Sequence, residues 1–175
     1  MNQHEKNLHE WLKNWHEQFG NLNRNDLHYK SGEHFVLEHG VYYPVAPYPK
    51  GVKYGVPKGC FGNAIVLAAT RRWQYVEGYA IANISVQMPF HHAWNLDDDG
   101  KLVDNTWRNT GLAYCGVVFS VERVDDAMWE GDEAVLTDWK WRYPIFQKPW
   151  TGETPGAVPE SERVKLLRAG EFDKL

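Results

Sequence analysis

Residues 90–107 read FHHAWNLDDDGKLVDNTW. Two runs, Phe90 to Leu96 and Lys101 to Trp107, flank Asp97-Asp98-Asp99-Gly100, and an Asp-Gly ending between such runs is a strong hairpin signal. Both runs are therefore read as strands. Alternation sends His91 and His92 to opposite faces of their strand, so only one of them can point at Cys60, and same-face positions across the hairpin can bring an imidazole within reach of Asp104. The assignment favoured here is His92, with His91 as the competing one.

The flanks extend this hairpin into a mixed fold. Upstream, Cys60 opens an apolar run in which Ala64, Ile65, Leu67, Ala68 and Ala69 include the best helix formers, so a helix starts at or near Cys60. Tyr75 to Ile84 and Gly116 to Val124 are rich in β-branched and aromatic residues and read as strands, with Trp139 to Phe146 as a late strand. Phe35 to Val45 looks extended. Pro44, Pro47, Pro49, Gly51 and Gly55 make the approach to Cys60 a loop. At the N-terminal end, Leu8, Trp11, Leu12, Trp15 and Phe19 recur at helical spacing and predict an amphipathic helix ending near Gly20. Asn21 to Lys30 is turn-like, Trp150 to Pro159 is loop, and Glu160 to Ala169 suggests a short closing helix. The fold class is α+β, with the Cys60 helix packed on an antiparallel sheet.

Composition bounds the function. A chain of 175 residues, 43% hydrophobic, fits one domain over 1–175 with a core at about 34–147. A net charge of -4 gives no general reason to bind nucleic acid or an anionic membrane. The start Met-Asn-Gln-His-Glu-Lys lacks the pattern of a signal peptide and no segment reads as a membrane span, so the expected compartment is the cytoplasm. The two cysteines, Cys60 and Cys115, are too few for a disulfide framework, and free thiols are expected.

Cys60, His92 and Asp104 are a thiol, a base and an acid in the order that nucleophilic acyl transfer can use. A helix N-terminus and a nearby imidazolium both favour a thiolate, and the unpaired amides of the first turn can stabilise a developing oxyanion. Asp104 would orient the imidazole, which would serve Cys60 as base and later protonate the leaving group. The plain alternative is that Cys60 is a small buried hydrophobe.

Gly-Cys-Phe-Gly-Asn-Ala at 59–64, Tyr-Val-Glu-Gly-Tyr-Ala at 75–80, His-Ala-Trp at 92–94 and Val-Asp-Asn-Thr-Trp at 103–107 together resemble a transglutaminase-like core, a papain-like fold. The likeness covers Lys58 to Trp107, about a third of the chain. It implies catalytic roles for Cys60, His92 and Asp104 and cysteine-dependent attack on an amide or peptide carbonyl through a thioester. Hydrolysis of a peptide, protein or small amide substrate is the favoured outcome. Crosslinking or deamidation, or a non-catalytic binding or inhibitory module, are the alternatives. Asn105 stands where the family usually has proline. The resemblance also implies an oxyanion donor upstream of Cys60, for which Tyr54 is the candidate and Tyr48 its rival.

Other residues divide between site and scaffold. Trp94 and Trp107 can wall the site or pack on the sheet. Asn63, one turn after Cys60, can bond substrate or a loop. Cys115 is assigned to packing. The N-terminal helix packs on the core or, in a second reading, contacts a partner. Asn95, Asp97, Asp99 and Gly100 imitate the start of a calcium loop, but its twelfth position is Thr106 instead of glutamate and strands flank it. His4, His9 and His16 lack a completing ligand set, and no phosphate-binding glycine loop occurs, so neither metal nor cofactor is expected.

Overall fold

The computed structural model describes residues 1–19, 26–85, 88–107, 109–120, 123, 124, 127, 134–138 and 142–152. Among the described residues, three helices and a five-stranded antiparallel sheet make up an α+β fold. In chain order these are α1 (Gln3–Phe19), α2 (Gly32–His39), β1 (Val41–Tyr42), α3 (Cys60–Arg71), β2 (Gln74–Ala82), β3 (Pro89–Leu96), β4 (Leu102–Val103) and β5 (Gly111–Phe119). The strands lie in the order β1-β5-β2-β3-β4.

Helix α1 begins with a reciprocal cap: Asn2 Oδ1 accepts from the Glu5 amide at 2.9 Å, and the Asn2 backbone N–H donates to Glu5 Oε2 at 2.7 Å. Its predicted stripe turns inward at Leu8 and Leu12, both with no solvent exposure. Each such burial contributes about 1.5–3 kcal/mol. Trp11 packs on the same core and lies 5.6 Å from the Tyr79 ring, while Trp15 is 38% exposed. The apolar stripe is thus used within the chain. Among the described residues no helix is long and apolar enough to cross a membrane.

Extended structure over Phe35 to Val45 is corrected to a helix followed by a two-residue strand. Ser31 Oγ accepts the His34 amide at 3.2 Å and caps α2, and the Lys30 amide donates to His34 Nδ1 at 3.1 Å. Phe35 and Val36 then face the core at i and i+1 of a helix turn, which the β-branched and aromatic composition of this segment disguises.

The hairpin forms with Asn95 opposite Val103 and Leu96 opposite Leu102. Asp97 holds the turn: its Oδ1 accepts from the amides of Asp99 and Lys101 at 3.0 and 2.9 Å, and Gly100 takes a φ of +73° that suits glycine. The second strand is much shorter than Lys101 to Trp107. Asp104 Oδ1 accepts from the amides of Thr106 and Trp107 at 2.9 and 3.1 Å, and this local turn takes those amides out of any ladder. Among the described residues β3 consequently has no neighbour beyond β2 from Pro89 to Trp94.

Strand β5 starts at Gly111 and ends at Phe119, five residues earlier at each end than the expected Gly116 to Val124, so Cys115 lies within it and pairs with Tyr79 and Tyr42. Residues 144–146 of the expected late strand form a 3-10 turn opened by Pro144, which has no N–H to give a ladder. Residues 139–141 of that strand, 153–159 of the loop and the helix at Glu160 to Ala169 lie outside the described residues, as do Gly20 and Asn21 to Asn25.

The sheet has two covered faces. On one, Ala64, Ile65 and Ala68 of α3 and Leu8 and Leu12 of α1 join Tyr75, Tyr79, Ala93 and Phe119 in the larger core. On the other, Val76, Ala80, Trp94, Leu96, Leu102 and Tyr114 form a smaller core with Tyr43 and Trp107 against it.

Candidate functional site

The residue before α3 is Gly59, and a turn delivers the chain to it: the Gly59 amide donates to the Val56 carbonyl at 3.2 Å, with Pro57 second and Lys58 third in the turn. Lys58 has a φ of +66°, a position that favours glycine. Such a left-handed lysine costs about 1–2 kcal/mol, and it stands two residues from Cys60. Cys60 is the first residue of α3 and is 8% exposed. No side chain caps this helix start. The amides of its first turn have no intrahelical acceptor and face the space beyond the helix end.

His92 is 2% exposed and its Nε2 lies 2.8 Å from Asp104 Oδ2. The Cys60 thiol lies near enough to the same imidazole to act on its charge. With Nε2 engaged by Asp104, Nδ1 is the ring atom left for the thiol. Burial works to lower the His92 pKa, but the hydrogen bond and charge of Asp104, with a further contribution from nearby Cys60, outweigh it and push the value up to about 9. Of the two adjacent histidines, it is His92 that pairs with Asp104.

Asp104 is 5% exposed and fully engaged. Besides His92 and the amides of Thr106 and Trp107, it accepts from the Tyr114 hydroxyl at 2.7 Å on Oδ2. Burial alone would raise its pKa; the bonds to His92 and Tyr114 and the charge on His92 hold it below the usual carboxylate value. Tyr114 was not singled out from the sequence. Its only signal is alternation in β5, which places it on the Asp104 face but says nothing about its hydroxyl.

Trp107 lies flat on His92, with ring centroids 3.8 Å apart and planes 15° off parallel. It seals one side of the imidazole. Trp94 is fully buried, edge-on to Tyr114 at 5.1 Å, and supports the site from within the smaller core. Asn63 is committed to the loop: its Oδ1 accepts the Val56 amide at 2.9 Å, and its Nδ2 donates to the Val56 carbonyl and to Thr106 Oγ1, both at 2.8 Å. It locks the segment before Cys60 to the segment after Asp104. The Gly55 amide adds a bond to the Asn105 carbonyl at 2.8 Å, and a side chain at Gly55 would collide with Asn63. Asn105 Nδ2 reaches the Asn63 carbonyl at 3.3 Å, a contact proline could not make at this position.

Tyr54 is 43% exposed and stacked on Tyr48 with centroids 4.5 Å apart. The Tyr48 hydroxyl donates to the Lys53 carbonyl at 3.2 Å. Tyr54 lines a groove of about 770 Å³ between the 51–56 loop and the outer side of α3, while Tyr48 lines a separate small cleft with Asp104 and Tyr114. The groove runs from Gly59 at the helix start to Arg71 at its end.

His91 is held on the opposite face from His92. Its Nε2 lies 2.8 Å from Oε1 of Glu77, which has no solvent exposure, and its ring sits 4.8 Å from Phe61. Glu77 also accepts from the Tyr75 hydroxyl at 2.9 Å and from the amides of Val135 and Leu136 at 3.0 and 2.8 Å. Glu77 was likewise missed, because one carboxylate inside an apolar strand gives no sequence pattern.

Cys60 and Cys115 are both free thiols. Cys115 is packed in β5 and burial pushes its thiol up to about 12. Among the described residues no group of three or more His, Cys, Asp or Glu side chains stands close enough to hold a metal ion. No protein-family model, curated protein or solved structure matches the chain.

Proposed function

We propose that this chain is a cysteine-dependent acyl-transfer enzyme with a transglutaminase-like, papain-like core, acting most readily as a hydrolase of amide or peptide bonds. The observation that carries the reading is a buried His92 paired with Asp104 at 2.8 Å, with the Cys60 thiol at the start of α3 near enough to the ring to act on its charge. An imidazole held this way favours the ion pair of thiolate and imidazolium.

The reaction follows from these positions. Cys60 Sγ attacks the carbonyl carbon, a C–S bond forms, and the carbonyl electron pair moves to oxygen, where the first-turn amides of α3 can donate. The tetrahedral centre collapses, the C–N bond breaks, and the His92 proton goes to the departing nitrogen. The thioester then meets water, whose proton His92 accepts, and release of the acid restores the thiol. Asp104 keeps the ring oriented throughout, with Tyr114 fixing the carboxylate. Trp107 shields the ring from bulk water, which strengthens the interactions beneath it. Two free thiols suit a reducing compartment, and the cytoplasm is the proposed location.

The test is to incubate the protein with a peptide thioester, quench in acid and locate the acyl group by mass spectrometry. The reading expects an adduct on Cys60 that is absent in Cys60→Ala and forms far more slowly in His92→Ala. Added amine separates the outcomes, since a crosslinking enzyme yields the amide where a hydrolase yields the acid. Absence of any Cys60 adduct would count against both.

A further inference from the structure

The groove beside α3 is positively charged as well as apolar. Between residues 39 and 76 fall Lys50, Lys53, Lys58, Arg71 and Arg72, five of the chain's 19 basic residues, and none of its 23 acidic ones. Every charged residue lining the groove is therefore a cation: Lys53 on the loop side and Arg71 at the far end of the helix. Arg71 lies over the Trp73 ring at 5.9 Å, and no carboxylate among the described residues pairs with either cation. Between them the walls are apolar, with Val52 and Val56 on the loop and Val66 and Leu67 on the helix. Among the described residues, this groove of an acidic protein is lined by two cations and no carboxylate.

The position of this groove gives it a role. It starts at Gly59, the residue before Cys60, and is lined by none of Cys60, His92 and Trp107. His92 protonates the leaving group, so the leaving group must sit on the imidazole side, and the arm bearing the carbonyl must extend the other way. We infer that the groove receives the acyl arm of the substrate, and that this arm is an extended, largely apolar peptide carrying a carboxylate four or five residues before the scissile carbonyl. The spacing comes from the helix: Cys60 to Arg71 rises about 17 Å, the reach of roughly five extended residues. The inference rests on the thiol acyl-transfer reading and adds to it a substrate class.

Two peptidyl chloromethyl ketones test it, acetyl-Glu-Val-Ala-Leu-Gly and the same peptide with glutamine in place of glutamate. They place their electrophilic carbon where the scissile carbonyl would lie, and the readout is the second-order rate of Cys60 alkylation. The acidic peptide should react about fivefold faster, the scale of one or two partly exposed ion pairs. That advantage should shrink toward unity at 1 M salt and in the Lys53→Gln/Arg71→Gln double variant, and persist in Lys13→Gln, on the remote face of α1. Gly62→Leu gives a second handle. A Cβ at Gly62 meets nothing within 4 Å, so the new side chain extends into the groove without a clash at its base. It should slow both peptides relative to chloroacetamide. Equal rates for the two peptides in the wild type, a preference that survives the double substitution, or peptide rates indifferent to Gly62→Leu would overturn the inference. A Cys60 that chloroacetamide labels no faster than Cys115 would instead bring down the reading beneath it.

Discussion

His91 and His92 are neighbours on one strand, each 2.8 Å from a buried carboxylate, and they do different work. His92 is sealed in, stacked under Trp107, with the Cys60 thiol near enough to act on its charge. His91 is partly exposed, and its partner Glu77 ties Tyr75 and the amides of Val135 and Leu136 to the sheet. A histidine–carboxylate pair alone is therefore no sign of catalysis. What separates the two is the third group: the Cys60 thiol in one case, backbone amides in the other.

Exchanging the histidines' fates should break this contrast most visibly in rate. His92→Ala is expected to lower thioester acylation of Cys60 by about 10²–10⁴-fold, the usual contribution of a positioned base, whereas His91→Ala should stay within about threefold. Stopped-flow acylation of both variants decides it, and similar losses would erase the distinction. Stability should respond in the opposite sense. Glu77→Ala strands a phenol and two buried amides and should cost about 3 kcal/mol in denaturant unfolding. A loss under about 1 kcal/mol would show that Glu77 is not the anchor described.

The pH dependence of stability sharpens the same comparison. His92, raised from 6.5 to about 9, adds stability that is fully present below pH 6.5 and is lost as pH climbs through 9. Asp104, held below its ordinary 3.8, adds stability that is present above that value and is lost as pH falls through its lowered pKa. Together they are strongest between about pH 4 and 6.5. The wild-type Tm should decline from pH 6.5 to 9, and His92→Gln should flatten that limb while His91→Gln leaves it in place. A slope that is identical in all three proteins would mean that other groups set it. The smallest effect belongs to the shield: Trp107→Ala removes a stacked pair worth about 1 kcal/mol and should slow acylation by about tenfold as water reaches the imidazole. Full retention of rate would relegate Trp107 to packing.

Much of the fold could be read because its signals were local. Leu8 and Leu12 repeat at helical spacing, Asp99-Gly100 marks a turn, and the apolar run after Cys60 has helix-forming composition. The segment 32–39 failed because Phe35, Val36 and Leu37 suit a strand, and its helix depends on one hydroxyl, Ser31, meeting one amide. The short β4 failed for a related reason, since Asp104 draws the next amides to its own side chain. In the site, Cys60, His92 and Asp104 could be picked out by residue type and order. Tyr114 and Glu77 could not, because their roles come from register and from chain segments far away in sequence. Asn63 was visible as a neighbour of Cys60 one turn on, but only three-dimensional closure of the 55–56 loop assigns its hydrogen bonds to structure.

The central claim is that Cys60 and His92 act as one unit, and alkylation by iodoacetamide across pH tests it most directly. The proposed pairing with His92 predicts that wild-type Cys60 reacts at pH 6 within about threefold of its rate at pH 8. In His92→Ala the rate should fall about tenfold per pH unit over that interval, while Cys115 stays slow in both proteins. Parallel pH profiles for Cys60 in the wild type and in His92→Ala would contradict the account.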